Sequence, residues 1–164
     1  MNVLILLAAA VIPMIIGAIW YNPKVLGSAW MAAAGVREEQ LQEGNILVIF
    51  GLAFLFSFFL AFALFGDVVH QSSLYSLFVT QPEFEQEGSE MKAYFDNFME
   101  QYGYLHRSFG HGIIHGIESA IIYALPFIGI IALFERRGWK YILIHFGYWL
   151  LSLALMGGVI CQYA

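Results

Sequence analysis

The sequence predicts an all-α fold, a bundle of four transmembrane helices. Of its 164 residues, 60% are hydrophobic and only 12% are charged, whereas soluble domains are about 45–50% apolar and about 25% charged. The mean hydropathy is +0.73. Four apolar stretches reach the roughly 20 residues that a helix needs to cross a bilayer. The length fits one domain over residues 1–164.

The predicted spans are residues 3–21, 46–65, 110–134 and 141–163. The first stretch lacks the basic segment that precedes the apolar part of a signal peptide, so we expect it to remain as a helix. Pro13 is expected to kink it, which neighbouring helices tolerate in a bilayer. Aromatic residues of the kind found at membrane interfaces mark the span ends: Trp20, Tyr21, Trp139, Tyr141 and Tyr163.

The connections between the spans differ in character. Loop one holds a predicted interfacial helix, Val25–Ala34. Loop two, about residues 66–109, is long and acidic. Within it, apolar residues recur at helical spacing and predict an amphipathic helix: Met91, Phe95, Phe98 and Tyr102. This helix fits either a lid on the bundle or a docking surface for another protein.

The basic residues predict the orientation in the membrane. Of the seven Lys and Arg residues, two lie in loop two (Lys92 and Arg107) and the other five in loops one and three. Because cytoplasmic loops carry the excess of Lys and Arg, we expect loops one and three to be cytoplasmic. Both termini and loop two then face outward, which in a bacterium means from the inner membrane into the periplasm. The cluster Arg136, Arg137 and Lys140 fits a topology-setting turn, with binding of anionic lipid headgroups as the alternative.

Several function classes find little support. The net charge of −5 and the absence of a basic run argue against nucleic acid, which is bound through clustered Lys and Arg. Cys161 is the only cysteine, so no disulfide framework or cysteine-based metal motif exists. Motifs for nucleophilic catalysis, for metalloproteases and for phosphate binding are also absent.

Polar residues inside the third span form the candidate site. At 100° per residue, His111, His115 and Glu118 share one helix face within a 60° arc. Asp67 and His70 follow the second span at the same predicted depth. Imidazoles and carboxylates on facing helices suit a divalent transition metal such as zinc, iron or manganese. Two alternatives stay open: solvated histidines that cap the bundle, and a metal-free hydrogen-bonded network on a proton or solute path.

A small-residue stripe lies beside this polar face. Gly112, Gly116 and Ser119 recur at one-turn spacing, which allows another helix to approach closely. Of the two remaining histidines, His145 lies near the cytoplasmic side and is interpreted as a packing residue. His106 precedes the regular helix, and its direction cannot be read from the pattern.

Four blocks of the sequence resemble a known family in the family's own order. They are GAIWYNPKVLGSAWMAAAG (17–35), EGNILVIFG (43–51), LFERRGWKYILIHFGYW (133–149) and MGGVI (156–160). These segments are similar to the family called domain of unknown function 1761. The resemblance implies a small bacterial integral membrane protein with four helices. That family has no established activity, so the resemblance assigns no functional residue.

Three function classes fit these observations. An accessory, binding or oligomer-forming membrane subunit ranks first, because of the glycine stripe and the amphipathic loop. An oligomeric transporter of protons or small solutes and a metal-dependent membrane enzyme are the alternatives, and an enzyme is the less favoured outcome. The expected partners are membrane lipid and either further copies of the chain or a larger membrane complex.

Overall fold

The computed structural model describes all 164 residues and contains helices and no strands. In chain order the helices are α1 (Val3–Trp20), α2 (Ser28–Ala34), α3 (Glu38–Leu41), α4 (Ile46–Val68), α5 (His70–Phe78), α6 (Glu90–Tyr102), α7 (Phe109–Ser119), α8 (Leu125–Phe134) and α9 (Trp139–Tyr163). A π-helical turn, Ala120–Ala124, joins α7 and α8 into one run of 26 residues.

Four helices are long and apolar enough to cross a membrane: α1, α4, the α7–α8 run and α9. This confirms the predicted all-α fold class with four candidate spans, which is the architecture expected of a membrane protein. The second span continues to Val68, three residues beyond the predicted 46–65. Side chains that cap backbone N–H groups set several helix starts, because the first N–H groups of a helix lack partners within it. Asn45, for example, accepts hydrogen bonds from the N–H groups of Leu47 and Val48.

The fourth span, α9, is the centre of the bundle. Within the most apolar window of each span, 44% of the residues of α9 are buried, against 22% for α1 and 11% for α4. The core therefore forms where the other spans pack on α9. Its members include Leu6, Ala61, Ala120, Met156 and Ile160.

The small-residue stripe on α7 lies directly against α9. A Cβ atom on Gly112 would collide with the carbonyl oxygen of Gly157, and one on Gly116 would collide with the carbonyl oxygen of Leu153. Backbone therefore meets backbone, the close packing that small residues permit between membrane helices. The stripe is occupied by a helix of the same chain.

The alternating direction of the spans gives the bundle two distinct ends. Both chain termini lie at one end, together with His70 and His111, and we call it the histidine end. The turn 135–140 and α2 lie at the other, which we call the basic end. There the Arg137 side chain lies against Gly35, whose φ of +66° is the left-handed conformation common after a helix.

Helices α5 and α6 build a small aromatic layer at the histidine end. The predicted amphipathic helix forms as α6, and its Phe95 packs on α5. The ring centroids of this layer lie 5.1–6.1 Å apart; its rings are Tyr75, Phe78, Phe84 and Phe95. The Gln71 side-chain amide of α5 donates to the carbonyls of Gly103 and Leu105, at 3.0 and 2.8 Å. These bonds hold the segment that leads into α7.

Candidate metal centre

Three histidine rings converge at the histidine end. The Nε2 atom of His111 lies 3.0 Å from Nε2 of His70 and 3.1 Å from Nε2 of His115. Potential ligand atoms of the three residues all lie within 4.8 Å of one another. His70 is exposed, whereas His111 and His115 are half-buried. The cluster therefore opens to the surface of the bundle on the side of His70.

Two helix starts place these rings. Helix α4 stops at Val68 because Val69 leaves the helical conformation, with φ −106° and ψ 87°, and α5 then begins at His70. Ser108 caps α7 by accepting a hydrogen bond from the His111 N–H at 3.2 Å. His115 follows one turn later, on the same face of α7. The interruption of the helix at Val69 thus directs the His70 ring toward the rings of His111 and His115 on α7.

Glu118 orients the third histidine. Its carboxylate lies 3.0 Å from Nδ1 of His115. A carboxylate accepts a hydrogen bond, so Nδ1 of His115 carries the proton and Nε2 presents its lone pair to the cluster. Metal-binding histidines commonly donate their second N–H to a carboxylate in this way. The predicted residue Glu118 is therefore a partner of a histidine and does not itself join the three convergent nitrogens.

Asp67 takes a different position. Its carboxylate accepts a long hydrogen bond, 3.5 Å, from the Ser119 hydroxyl, and it lies outside the group of three histidines. Both side chains line a polar cavity of about 200 Å³, which also reaches His115 and Glu118. Of the five candidate ligands, the structure thus brings three together: His70, His111 and His115. Glu118 lies behind His115, and Asp67 lies beside the site.

His106 is the neighbour that the sequence did not place. Its ring centroid lies 4.8 Å from that of His111 and 5.8 Å from that of His70. The residue adopts a φ of +61°, which is uncommon for residues with a side chain. Its carbonyl accepts a hydrogen bond from the Cys161 thiol at 3.1 Å. One signal in the sequence could have indicated it: the intervals between successive polar residues shorten from five to four to three, along His106, His111, His115 and Glu118.

The local electrostatics favour neutral imidazoles. Partial loss of water around the ring, followed by the nearby charges of His115 and His106 when protonated, lowers the pKa of His70 from its ordinary value. Neutral imidazole is the form that binds metal ions. The surroundings that lower the pKa of His70 therefore disfavour its protonation and leave its lone pair available for a metal ion.

The remaining predicted residues lie elsewhere in the fold. Arg136 and Lys140 are at the basic end, and Arg137 Nε there lies 3.7 Å from the Glu135 carboxylate. His145 is also near the basic end, with Nδ1 2.9 Å from the Tyr21 hydroxyl. Nothing at that end resembles the convergence of ring nitrogens around His111.

Fold and site together define a class: a four-span helical membrane protein with a histidine cluster at one end. The family model described as "protein of unknown function (DUF1761)" matches residues 4–161. The chain belongs to this family, which confirms the resemblance seen in the sequence. No curated protein and no solved structure matches the chain.

Proposed function

We propose that this membrane protein binds a divalent transition metal, with zinc as the preferred ion, through His70, His111 and His115. The observation that carries the proposal is that Nε2 of His111 lies 3.0 Å from Nε2 of His70 and 3.1 Å from Nε2 of His115. A neutral imidazole offers one N–H donor or one in-plane lone pair at each nitrogen. Nε2 of His111 can therefore form a hydrogen bond with Nε2 of only one of its two neighbours, His70 or His115.

A metal ion satisfies all three nitrogens together. With zinc–nitrogen distances near 2.0–2.1 Å, ligand nitrogens of a tetrahedral site stand about 3.3–3.4 Å apart. Small ring rotations can widen the two pairs at 3.0 and 3.1 Å to that spacing, while the ligand atoms of His70 and His115 already lie within 4.8 Å of each other. Imidazole nitrogens suit zinc and iron, whereas manganese prefers oxygen ligands. Manganese loses support because neither carboxylate joins the three nitrogens.

Three protein ligands leave the fourth position of a tetrahedral ion free. Catalytic zinc sites share this feature, and the fourth position holds water or substrate. The exposure of His70 supports access to that position. A metal-dependent role in which water or a small ligand binds the ion therefore ranks above a closed structural site.

The assembly role that ranked first in the sequence loses one of its supports. The glycine stripe that suggested contact with another subunit packs on α9 of the same chain. Helix α6, the other support, uses Phe95 to pack on α5. The proposed location remains the bacterial inner membrane, which the family resemblance implies. The Lys and Arg distribution supports an orientation with the histidine end facing the periplasm.

The direct experiment is elemental analysis of detergent-purified protein after equilibrium dialysis against zinc. We expect about one zinc per chain, lost in a His111→Ala/His115→Ala variant and kept in a His145→Gln variant. His145 is a matched control because it is a histidine of the fourth span that hydrogen-bonds to Tyr21. Circular dichroism checks that each variant is helical. Zinc retained in the double variant would contradict the proposal, as would a folded wild-type protein that binds none.

A further inference from the structure

An apolar groove runs along the bundle between α4 and the α7–α8 run, next to the polar cavity of the candidate site. Its volume is about 350 Å³, within the usual range for ligand pockets. Apolar and aromatic side chains form most of its wall, among them Leu60, Ala63, Tyr123, Phe127, Ile131 and Trp149. Only Asp67 and Ser119 bring polar side chains to it besides the Tyr123 hydroxyl and the indole.

The groove continues into the polar cavity. Asp67, Ser119 and Tyr123 line both spaces, and the polar cavity then reaches His115 and Glu118. From Ser119 to Ile131 the helix advances about 18 Å, which gives the groove the length of a long alkyl chain. A molecule lying in it would have its tail among the apolar residues and its head beside His115.

The charges of the polar cavity select the head group. Two carboxylates, Asp67 and Glu118, line it, and no Lys or Arg does. In the metal-free protein, an anionic head such as a phosphate or a carboxylate would meet like charge there, whereas a hydroxyl or an amine would donate hydrogen bonds to the carboxylates. The hydroxyl of Ser119 reaches Asp67 only at 3.5 Å, so this acceptor retains capacity for a donor.

We propose that the groove and the polar cavity together bind a single-chain amphiphile with a hydroxyl or amine head group, which enters sideways from the lipid phase. A helix of a second copy is the competing occupant. It would bring apolar side chains against Asp67 and leave that carboxylate with one long hydrogen bond, at the cost of burying an unsatisfied charge. The inference goes beyond metal binding and does not require it, although the head would lie next to His115.

Trp149 provides the readout, because it lines the groove and brominated alkyl chains quench indole fluorescence on contact. The test uses the purified protein in detergent, with Trp20, Trp30 and Trp139 replaced by Phe, and titrates ω-bromoundecanol, ω-bromoundecylamine and ω-bromoundecanoic acid. We expect saturable quenching by the alcohol or the amine and only linear quenching by the acid. If the triple replacement does not fold, the same titration on the four-tryptophan protein compares the variants below.

Ala63→Phe fills the groove, and Gly51→Phe on the same helix is the matched control, since no atom lies within 4 Å of a Cβ added at Gly51. Displacing even two methylene groups weakens binding about tenfold, so Ala63→Phe is expected to remove saturable quenching while Gly51→Phe keeps it. Equal linear quenching in wild type and both variants would overturn the proposal. Saturable binding of the acid as tight as that of the alcohol would overturn the head-group assignment.

Two further outcomes complete the test. If Ala63→Phe dissociates an oligomer seen by light scattering and no probe saturates, the groove is an interface between copies and the proposal is wrong. Zinc content is measured on the same samples. The amphiphile site and the metal site therefore fail or succeed separately.

Discussion

The two ends of the bundle both place histidine among aromatic or imidazole rings, and they differ in what faces the ring nitrogens. At the basic end, Nδ1 of His145 meets the Tyr21 hydroxyl at 2.9 Å, and the ring packs on Tyr141 with centroids 4.4 Å apart. At the histidine end, Nε2 of His111 meets two other imidazole nitrogens. A tyrosine hydroxyl can donate to the lone pair of His145, whereas the proposed metal site assigns the lone pairs of the three facing imidazoles to one shared cation. The partners of its nitrogens, more than its burial, decide what a histidine does.

The largest expected effect comes from the packing that carries the histidine end. Gly116→Leu should lower the free energy of unfolding by about 3 kcal/mol or more, because a side chain there collides with backbone of α9 and overpacking of this kind is poorly relieved. Thermal unfolding in detergent measures it. Gly129→Leu is the control, since a Cβ added at Gly129 meets nothing within 4 Å. A Gly116→Leu protein that unfolds like wild type but loses only an oligomer would show that the stripe joins separate chains.

The next largest effect is a difference in zinc affinity between variants of the two carboxylates at the histidine end, Glu118 and Asp67. Glu118→Gln weakens the acceptor of the His115 Nδ1–H, and removal of such a supporting partner typically costs 10–100-fold in metal affinity. Asp67→Asn is expected to leave zinc affinity within about twofold, because Asp67 bonds Ser119 and lies outside the histidine cluster. Competition with a chelator of known affinity gives both values. Equal losses in the two variants would argue that both carboxylates bind the metal directly.

A smaller effect is expected at the basic end. Tyr21→Phe removes the hydroxyl that pairs with Nδ1 of His145, and loss of one such bond costs about 1 kcal/mol of unfolding free energy. Zinc content should not change, since Tyr21 lies at the opposite end from His111. Unfolding curves and elemental analysis on the same preparation test both statements. Loss of zinc in this variant would break the separation of the two ends.

The smallest effect is the pH dependence of the metal-free protein. Because the folded state lowers the pKa of His70 below its ordinary 6.5, the unfolded chain takes up protons there at a higher pH than the folded one. Stability is therefore full above about pH 6.5 and declines as the pH falls toward the lower folded-state value. His106, His111, His115 and Glu118 face the same cluster. In a His70→Gln variant, the melting temperature should depend less on pH between pH 7 and pH 5. An unchanged slope would contradict the lowered pKa of His70.

Much of the fold was readable because each span carries its own signal. Apolar length sets α1 and α4, and residues such as Asn45 that cap helices mark where they begin. The end of α4 was predicted three residues too early, at residue 65 where the apolar run ends, whereas the helix continues until the backbone geometry at Val69 ends it. Helix α5, which begins at this break, was missed because HQSSLYSLF lacks the long apolar run that marks a span.

The candidate site was readable to the extent that it is local. The spacing of His111, His115 and Glu118 on one face of α7 follows from helical geometry alone. His70 was predicted as a ligand from its depth at the end of the second span. The position of His106 depends on how loop two returns to the bundle, and long-range contacts such as that of Gln71 with the Leu105 carbonyl decide it. Asp67 had the right depth but faces Ser119, since orientation across two helices is not encoded in either helix by itself.

The central claim is that three imidazole nitrogens share one metal ion, and X-ray absorption spectroscopy of the zinc-loaded protein tests it most directly. The account predicts imidazole scattering from about three nitrogen ligands at 2.0–2.1 Å, reduced in the His111→Ala/His115→Ala variant and unchanged in His145→Gln. A zinc shell made of water or carboxylate oxygens alone, or one that survives the double replacement, would contradict it. The converging rings would then be a hydrogen-bonded histidine network at the end of the bundle.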